Sequence, residues 1–375
     1  MRILVISPIA SHPQNQGNSA RIAAVCRQLQ SLGHLVHFLY YPLEGLTDAQ
    51  RQEMSASWDF FHSLPCDLPN TEKTLGDYFS VDDWYDPRLG EYAEQLHQRW
   101  NFDCAWVNYV WFSAVLDSLP DTVYKIIDTH DVFGDRHLRF TEIGLEPEWF
   151  YTTLDEERYG LTRAHLVLAI QYEEEAYFRK TLAGTQTQVS TLGYMIPPRF
   201  SARKPKEDKL TIGYLASGNP FNISSLNDFV EALQRVPELQ QQYRFVLAGT
   251  ICDKIKALPP FEIMGRIDDL DDFYHNVDIV INPMIGGTGL KIKTLEALSY
   301  GVSFMGTESA FVGIPICRAD NRPSIVFDSA AGIDVLFPKQ SSLLSGADAR
   351  VTFLSYIATH AVKLKEIVLR ASDNG

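Results

Sequence analysis

The sequence contains no apolar run of about 18 residues, and its five cysteines show neither CxxC nor CxxH spacing. A helix that spans a bilayer needs about 20 consecutive apolar residues, so we expect no transmembrane segment. This pattern argues against a zinc site and against a disulfide framework, so these thiols fit a reducing compartment. We therefore expect a cytoplasmic protein, and composition leaves open whether it attaches peripherally to a membrane.

Positive charge is also scarce. The formal net charge is −14, and up to Ser190 the chain carries 14 Lys and Arg residues against 27 Asp and Glu residues. From residue 191 onward the corresponding numbers are 19 and 20. Because an acidic N-terminal half repels polyanions, we expect no nucleic-acid partner. The same charge disfavours a basic face that would dock on acidic lipids.

The GxGxxG pattern of nicotinamide-dinucleotide sites is missing as well. The polar loop over 7–19, which follows the first apolar run, contains a single glycine, Gly17. An NAD-dependent enzyme therefore ranks last among the functions we consider.

What the chain does contain is typical of a globular protein with two domains. It has 375 residues, of which 45% are hydrophobic, and a single core rarely grows beyond about 250–300 residues. Apolar runs predict strands at 3–6, 35–40, 104–109, 123–127 and 165–170, and again at 210–215, 244–248, 261–264, 277–281 and 301–307. Helical patterns alternate with them, which predicts an α/β fold of doubly wound sheets. We expect domains over 1–193 and 210–350, a linker over 194–209, and a helix within 351–375.

One stretch of the second domain has a specific pattern. The strand over 277–281 leads into three closely spaced glycines and then, from about Leu290, into a helical pattern that ends at Gly301. A helix that begins after a glycine loop points free N–H groups and the positive end of its dipole at a ligand. Lys291 and Lys293 add positive charge at this end, where helices usually prefer acids. A pyrophosphate group would explain the reversed preference.

The fifteen residues 287–301 read GTGLKIKTLEALSYG. This sequence resembles the donor site of family-4 glycosyltransferases, which are retaining enzymes of the GT-B class. In that family the helix start holds the diphosphate of a nucleotide sugar, and the glutamate of the second turn binds the ribose. The family commonly has another glutamate eight positions earlier, where this chain has Thr288, so the donor sugar stays open. The resemblance implies donor contacts from Gly287, Thr288, Gly289, Leu290, Lys291, Lys293 and Glu296.

The same resemblance singles out two places in the N-terminal half. In GT-B enzymes the glycine of the first loop, here Gly17, lies against the donor, and a histidine after an N-domain strand often contacts the transferred sugar. His130 follows the strand at 123–127 and matches that context. Because acidic residues lie on both sides of it, we expect its pKa to be raised. We take His130, Asp131 and Lys293 as the catalytic residues; the alternative is that His130 and Asp131 cap a turn.

The first loop of the second domain departs from the family pattern. Family members usually supply an arginine and then a lysine there, whereas residues 216–222 read ASGNPFN. Gly218 and Asn222 can donate hydrogen bonds to the diphosphate but carry no charge. The lysines of the helix, together with Arg266, would then neutralise the phosphates. The family places its nucleobase against a turn that corresponds here to Arg266 and Ile267.

Two other stretches give weaker signals. The acidic region 44–99 predicts helices and loops on the acceptor side, and we expect its aromatic side chains to pack in a core rather than to stack on a sugar. The acids Glu173–Glu175 open a helix, where their charge suits the dipole. We expect these three side chains to be solvated.

These features predict a retaining GT-B glycosyltransferase with two Rossmann-like domains facing a cleft. It would transfer a hexose-type sugar from a nucleoside diphosphate, UDP or GDP, to a saccharide, glycolipid or protein. No metal or cofactor is expected, because the helix dipole and lysines can stabilise the departing diphosphate. The resemblance also implies that the C-terminal helix crosses back to the first domain, while homo-oligomerisation stays open.

Two alternatives remain beside this function. The first is a scaffold subunit that binds a nucleotide sugar without turning it over, since the usual arginine and lysine are missing from residues 216–222. The second is a sugar-nucleotide 2-epimerase, which would need acids and bases around C2 of the sugar. Thr288, in place of a glutamate, does not favour the epimerase.

Overall fold

The computed structural model describes residues 1–14, 16–66, 72–141, 149–200, 209–284, 289–317 and 341–374. The chain divides into two compact units, one formed by Met1–Met195 with His360–Gly375 and the other by Ile196–Thr359. Part of the predicted linker, residues 201–208, lies outside the described residues. No helix in the described ranges is long and apolar enough to cross a bilayer.

The first unit is built on a seven-stranded parallel sheet. Its strands are β1 Arg2–Ser7, β2 Leu35–Tyr40, β3 Phe60–Ser63, β4 Cys104–Asn108, β5 Tyr124–Asp128, β6 Leu166–Ala169 and β7 Gln188–Thr191. They lie in the order β3-β2-β1-β4-β5-β6-β7. Every residue of β4 and β5 is buried, as expected for central parallel strands covered on both faces. The order reverses between β1 and β4, so their carboxyl ends form a switch point where such sheets bind ligands.

A 3-10 helix at Val110–Ser118 connects β4 to β5, and six α-helices connect the other strands in the described part of the first unit. They are α1 Gly17–Ser31, α2 Asp48–Ser57, α3 Pro87–Trp100, α4 Arg136–Thr141, α5 Leu154–Leu161 and α6 Tyr172–Thr181. Region 44–99 therefore contains a strand, β3, as well as helices, so its assignment to helices and loops alone was wrong. All four residues of β3 are only partly buried, which explains the weak pattern. Trp58 and Phe79 are buried, and packing is confirmed for these two aromatic side chains.

The second unit contains a six-stranded sheet. Its strands are β8 Thr211–Leu215, β9 Arg244–Ala248, β10 Phe261–Gly265, β11 Ile279–Asn282, β12 Ser303–Thr307 and β13 Ser341–Leu344. They lie in the order β10-β9-β8-β11-β12-β13, and the edge strand β13 is antiparallel to β12. The switch point of this sheet is between β8 and β11. The predicted α/β fold with two largely parallel sheets is confirmed.

The α-helices described in the second unit are α7 Pro220–Gln234, α8 Pro237–Gln242, α9 Leu270–Tyr274, α10 Ile292–Ser299 and the start of α11 Gly346–Asn374. Short 3-10 helices lie at Thr250–Asp253 and Glu308–Phe311. Helix α11 begins in the second unit, and its residues from His360 onward belong to the first. Helix α10 ends as predicted, because Gly301 adopts φ +63°, a left-handed conformation that favours glycine.

All five cysteines are free thiols. Cys26, Cys104 and Cys252 are buried, and burial raises the pKa of each of these thiols. Cys66 and Cys317 are partly exposed. Cys66 lies in the first unit, and Cys317 lies in the second.

Candidate active site

The switch point of the first sheet is organised by Asn108, the last residue of β4. Its side chain is 2% exposed, and its Nδ2 donates to the backbone oxygen of Ile6 at 3.0 Å. Its Oδ1 lies 2.9 Å from Nε2 of His130, which follows β5. One buried amide thus joins the carboxyl ends of β1, β4 and β5.

Tyr109 connects the same histidine to the first helix. The Tyr109 and His130 rings are stacked, with centroids 4.3 Å apart. The Tyr109 hydroxyl accepts a hydrogen bond of 3.2 Å from Nδ2 of Asn18, the neighbour of Gly17 at the start of α1. Both aromatic residues have positive φ, +73° and +61°, which non-glycine residues adopt only when their surroundings hold them there. The structure therefore places Gly17 and His130 at one edge of the sheet.

The expected rise of the His130 pKa is wrong. Burial lowers the pKa of this imidazole to about 3, and this effect outweighs the carboxylate of Asp128, which acts in the opposite direction. That carboxylate is itself bound to Arg21, whose positive charge also lowers the pKa of His130. The imidazole is consequently neutral at neutral pH.

Asp131 has local partners within its own turn. Its Oδ1 accepts a hydrogen bond of 2.8 Å from the backbone N–H of Val132, and its Oδ2 lies 3.3 Å from Nη1 of Arg136 in α4. Both contacts are local, as in the alternative in which Asp131 caps a turn. The catalytic role of Asp131 stays a prediction.

A buried ion pair lies behind this edge. Arg21 in α1 and Asp128 at the end of β5 are each 1% exposed, and Nη1 of Arg21 contacts Oδ2 of Asp128. Nη2 of Arg21 also donates to the backbone oxygen of Leu192 at 2.6 Å. This pair was not predicted. The burial of Arg21 could have been predicted from the sequence, because Arg21 is four positions before Val25 and therefore lies on the apolar face of α1.

Two buried glutamates were also missed. Glu157 in α5 is 1% exposed and accepts hydrogen bonds of 2.7 Å from the backbone N–H of Phe133 and from the hydroxyl of Tyr177. Burial raises its pKa to about 7. Glu174 in α6 is 5% exposed; burial, and then the negative charge of Asp131, raise its pKa well above the ordinary value.

The prediction that Glu173–Glu175 are all solvated is therefore wrong at its middle residue. The four-residue spacing from Glu174 to the buried Phe178 places both on the core-facing side of α6. Glu175 is also engaged, since its Oε1 accepts from Nε of Arg179 at 2.9 Å. Only Glu173 fits the prediction, with an exposed side chain.

The raised pKa of Glu157 leads to a prediction about stability. A carboxyl group that ionises near pH 4.5 in the unfolded chain and near pH 7 in the folded one makes the fold less stable as pH rises between those values. In Glu157→Gln this loss is absent, so stability should fall by roughly 2–3 kcal/mol less between pH 5 and pH 8 than in the wild type. Urea unfolding at both pH values measures the difference. The exposed Glu173→Gln serves as control, and equal pH dependence in wild type and Glu157→Gln would contradict the assignment.

In the second unit, the loop after β8 uses its polar groups internally. The backbone N–H of Gly218 donates to Oγ1 of Thr250 at 3.3 Å. Asn222 is 6% exposed, and its Nδ2 donates to both the backbone oxygen and the Oγ of Ser217 at 3.0 Å. In this arrangement Asn222 shapes the loop, and its contact with a diphosphate stays a prediction.

The turns after β9 and β10 pack against that loop. Gly249 has φ +99°, and a Cβ atom there would lie 2.3 Å from the backbone oxygen of Ala216. Its N–H donates to the oxygen of Gly265 at 2.8 Å. The next residue, Arg266, is exposed and forms an ion pair of 2.7 Å with Asp253. Its charge is thus paired with a carboxylate at the surface, and its contact with phosphate stays a prediction.

Ile267, the other candidate for the nucleobase wall, is partly buried next to Arg266. The ends of β8, β9 and β10 are joined through Gly249, so this turn lies near the Gly218 loop within the second unit. The structure is thus consistent with both residues lining one wall of a site. Their contact with a base remains a prediction.

The predicted donor helix α10 begins at Ile292, two residues later than expected, with Lys291 as its N-cap residue. Lys291 is 7% exposed, and its Nζ donates to the backbone oxygen of Gly289 at 3.0 Å, so it closes the end of the glycine loop. Leu290 is also 7% exposed and packs inward. Gly287 and Thr288 lie outside the described residues.

Lys293 and Glu296 form a salt bridge on α10. The Nζ atom of Lys293 lies 2.7 Å from Oε2 of Glu296, and the two side chains are 44% and 12% exposed. Behind them, Nδ2 of Asn282 at the end of β11 donates to Oγ1 of Thr294 at 3.1 Å, and this hydroxyl donates to the oxygen of Ala310 at 2.9 Å. The helix start is therefore fixed to the carboxyl end of β11, and its accessible charges are a lysine and a carboxylate.

Comparison with known proteins agrees with this architecture. Residues 209–333 match the family described as "Glycosyl transferases group 1". Among solved structures, the chain resembles sucrose-phosphate synthase from Thermosynechococcus elongatus, with a TM-score of 0.67, 13% identity and 100% of both chains covered. It resembles a glycosyltransferase from Rickettsia africae with a TM-score of 0.64 and 13% identity, covering 100% of this chain and 99% of that one.

A third similar structure is HepE from Anabaena in complex with UDP, with a TM-score of 0.62, 11% identity and 100% of both chains covered. No sequence among curated proteins matches the chain. At these identities the structural comparisons establish the fold alone. The α/β fold of the chain is that of GT-B glycosyltransferases, as predicted.

Proposed function

We propose that the protein is a retaining glycosyltransferase that moves a sugar from a nucleoside diphosphate to a hydroxyl of a saccharide, glycolipid or protein. The observation that carries this proposal is the start of α10 at the switch point of the second sheet, inside the segment that matches group 1 glycosyltransferases. Such a helix start offers unpaired N–H groups and a positive dipole end to an anion. Composition supports a cytoplasmic location.

The donor would bind with its diphosphate at the start of α10. Lys291 closes the glycine loop there, and Lys293 is the more accessible of the two cations. As the bond to the sugar breaks, negative charge grows on the leaving diphosphate, and the fixed amides and Lys293 stabilise it. Glu296 would accept hydrogen bonds from the ribose, since its carboxylate is held in place by Lys293.

His130 would contact the transferred sugar from the first unit. Its neutral imidazole suits this position, because positive charge develops on the sugar as the leaving group departs and an imidazolium would repel it. The acceptor hydroxyl would attack from the face that the diphosphate leaves, which gives retention without an enzymatic nucleophile. Gly17, at the start of α1, would let the donor approach closely because glycine has no side chain.

A thermal-shift screen with UDP, GDP, CDP, ADP, dTDP and NAD tests the proposal. Ligand at a hundred times its dissociation constant adds about 2.7 kcal/mol to stability, which raises the melting temperature by several degrees. We expect one nucleoside diphosphate to stabilise the protein selectively, and UDP is tested first because HepE, which has the same fold, was solved with UDP. Stabilisation by none of them, or by NAD alone, would overturn the proposal.

A scaffold that binds a nucleotide sugar without turnover is the second candidate. It is favoured by the uncharged loop at residues 216–222 and by the pairing of Arg266 with Asp253, which leave fewer cations for the diphosphate. The two functions differ in turnover. Release of nucleoside diphosphate from the sugar nucleotide that binds, with or without transfer, identifies an enzyme; stable binding without release identifies a scaffold.

A further inference from the structure

The orientation of the Asn108 side chain determines which atom faces His130. Nδ2 of Asn108 donates to the backbone oxygen of Ile6 at 3.0 Å, and a carbonyl oxygen can only accept. The opposite atom, Oδ1, therefore faces Nε2 of His130 at 2.9 Å. Because an amide oxygen also only accepts, Nε2 of His130 must carry the ring proton.

The other ring nitrogen of His130 is then an acceptor. A neutral imidazole carries one proton, so Nδ1 keeps its lone pair when Nε2 is protonated. Among the described residues no side chain is hydrogen-bonded to Nδ1, and His130 is partly exposed. Stacking on Tyr109 at 4.3 Å fixes the plane of the ring. The two charged groups that act on the pKa of this ring, Asp128 and Arg21, are bound to each other.

We propose that Asn108 is a positioning residue that holds His130 as the Nε2–H tautomer, so that Nδ1 accepts a hydrogen bond from a hydroxyl of the bound sugar. The identity of the bound group rests on the proposed function, whereas the tautomer does not. The arrangement also selects among donors. A hydroxyl can donate to Nδ1, but the carboxylate of a uronic acid would place a second lone pair against it, so sugars with a hydroxyl at this position are favoured.

The tautomer is measured directly by long-range ¹H–¹⁵N NMR of the histidine rings, with His130 assigned through the His130→Gln variant. We expect the wild type to show the Nε2–H form, with no titration of this ring above about pH 4. In Asn108→Asp the new carboxylate should raise the pKa of His130 by about two or more. In Asn108→Leu the acceptor is gone, and a mixture of the two tautomers is expected.

The matched control is Asn18→Ala. It removes the hydrogen bond to the Tyr109 hydroxyl at the same edge but leaves the contact between Asn108 and His130 in place. We expect it to keep the Nε2–H form. A wild-type ring protonated at Nδ1 would overturn the proposal, and so would Asn108→Leu with an unchanged tautomer. If both Asn108 variants fail to fold, the wild-type spectrum alone decides.

The choice of ligand is tested by calorimetric titration with UDP, UDP-glucose and UDP-glucuronate. We expect the wild type to bind UDP-glucose roughly tenfold more tightly than UDP-glucuronate, with the ratio reduced in Asn108→Leu and UDP itself bound equally by both. The two donors differ only at C6, so equal affinity of the wild type for both would overturn the proposed selection against uronic acids. A wild type that binds no nucleoside diphosphate counts against the proposed function instead, while the NMR result still decides the tautomer.

Discussion

Replacing Asp128 with alanine is expected to lower the free energy of unfolding by about 3–5 kcal/mol, because it leaves the guanidinium of Arg21 buried without its counter-charge. Both side chains are 1% exposed, so water cannot replace the lost partner. One hydrogen bond, to the oxygen of Leu192, remains for the guanidinium. Urea denaturation followed by circular dichroism measures the change.

The pair of Lys125 and Asp121 provides the control, because its carboxylate is exposed although the lysine is largely buried. Its atoms are 3.7 Å apart, and the carboxylate of Asp121 is fully accessible, so Asp121→Ala should change stability by less than about 1 kcal/mol. The double variant Arg21→Met/Asp128→Leu should recover most of the loss, since a buried ion pair can often be replaced by apolar side chains. A loss below about 1 kcal/mol in Asp128→Ala would show that the pair is not buried in solution.

Lys293→Ala and Glu296→Ala are each expected to reduce turnover more than tenfold while the melting temperature stays near that of the wild type. Each variant removes one charged hydrogen-bonding group from the start of α10, and such groups contribute about 1.5–3 kcal/mol, which corresponds to a tenfold or larger change in rate. The fold tolerates the changes because both side chains lie at the surface of the helix. Release of nucleoside diphosphate from the donor is the measurement.

The exposed residues Lys256 and Glu238 supply matched alanine variants in the same unit, and these should retain wild-type turnover. Binding of UDP and of uridine distinguishes the role of Lys293 from that of Glu296. Loss of affinity for UDP in Lys293→Ala assigns this lysine to the phosphates, whereas loss of affinity for uridine as well in Glu296→Ala assigns this glutamate to the ribose. Wild-type rates in both variants would remove α10 from the donor site.

The elements that could be predicted from the sequence are those whose pattern is local. The central strands are continuous apolar runs, so β2 and β9 were predicted with their observed ends, Leu35–Tyr40 and Arg244–Ala248. The end of α10 was predicted because Gly301 alone suits the conformation required there. The short strands β3 and β7 each have four residues at an edge of the first sheet, where partial exposure weakens the pattern.

For the candidate site, the sequence predicts the types of residue but not the contacts that they make. The glycines and lysines of 286–293 indicate an anion site from their spacing, and the family resemblance adds Glu296 as a ribose contact. The pairing of Arg266 with Asp253, by contrast, depends on two strands that meet only in the fold. The pKa of His130 was predicted in the wrong direction for a similar reason. The acidic residues next to His130 in the sequence suggested a negatively charged environment. In the fold, burial determines the protonation state of its imidazole.

The distribution of the cysteines has a practical consequence for following motion. Thiolate is the reactive form, so buried thiols with a raised pKa react slowly, while Cys66 and Cys317 are open to mild reagents. These two belong to different units. The natural chain therefore carries one attachment point for a fluorophore or spin label on each unit, and the separation of the two labels can be recorded while nucleotide is added, with no cysteine introduced or removed.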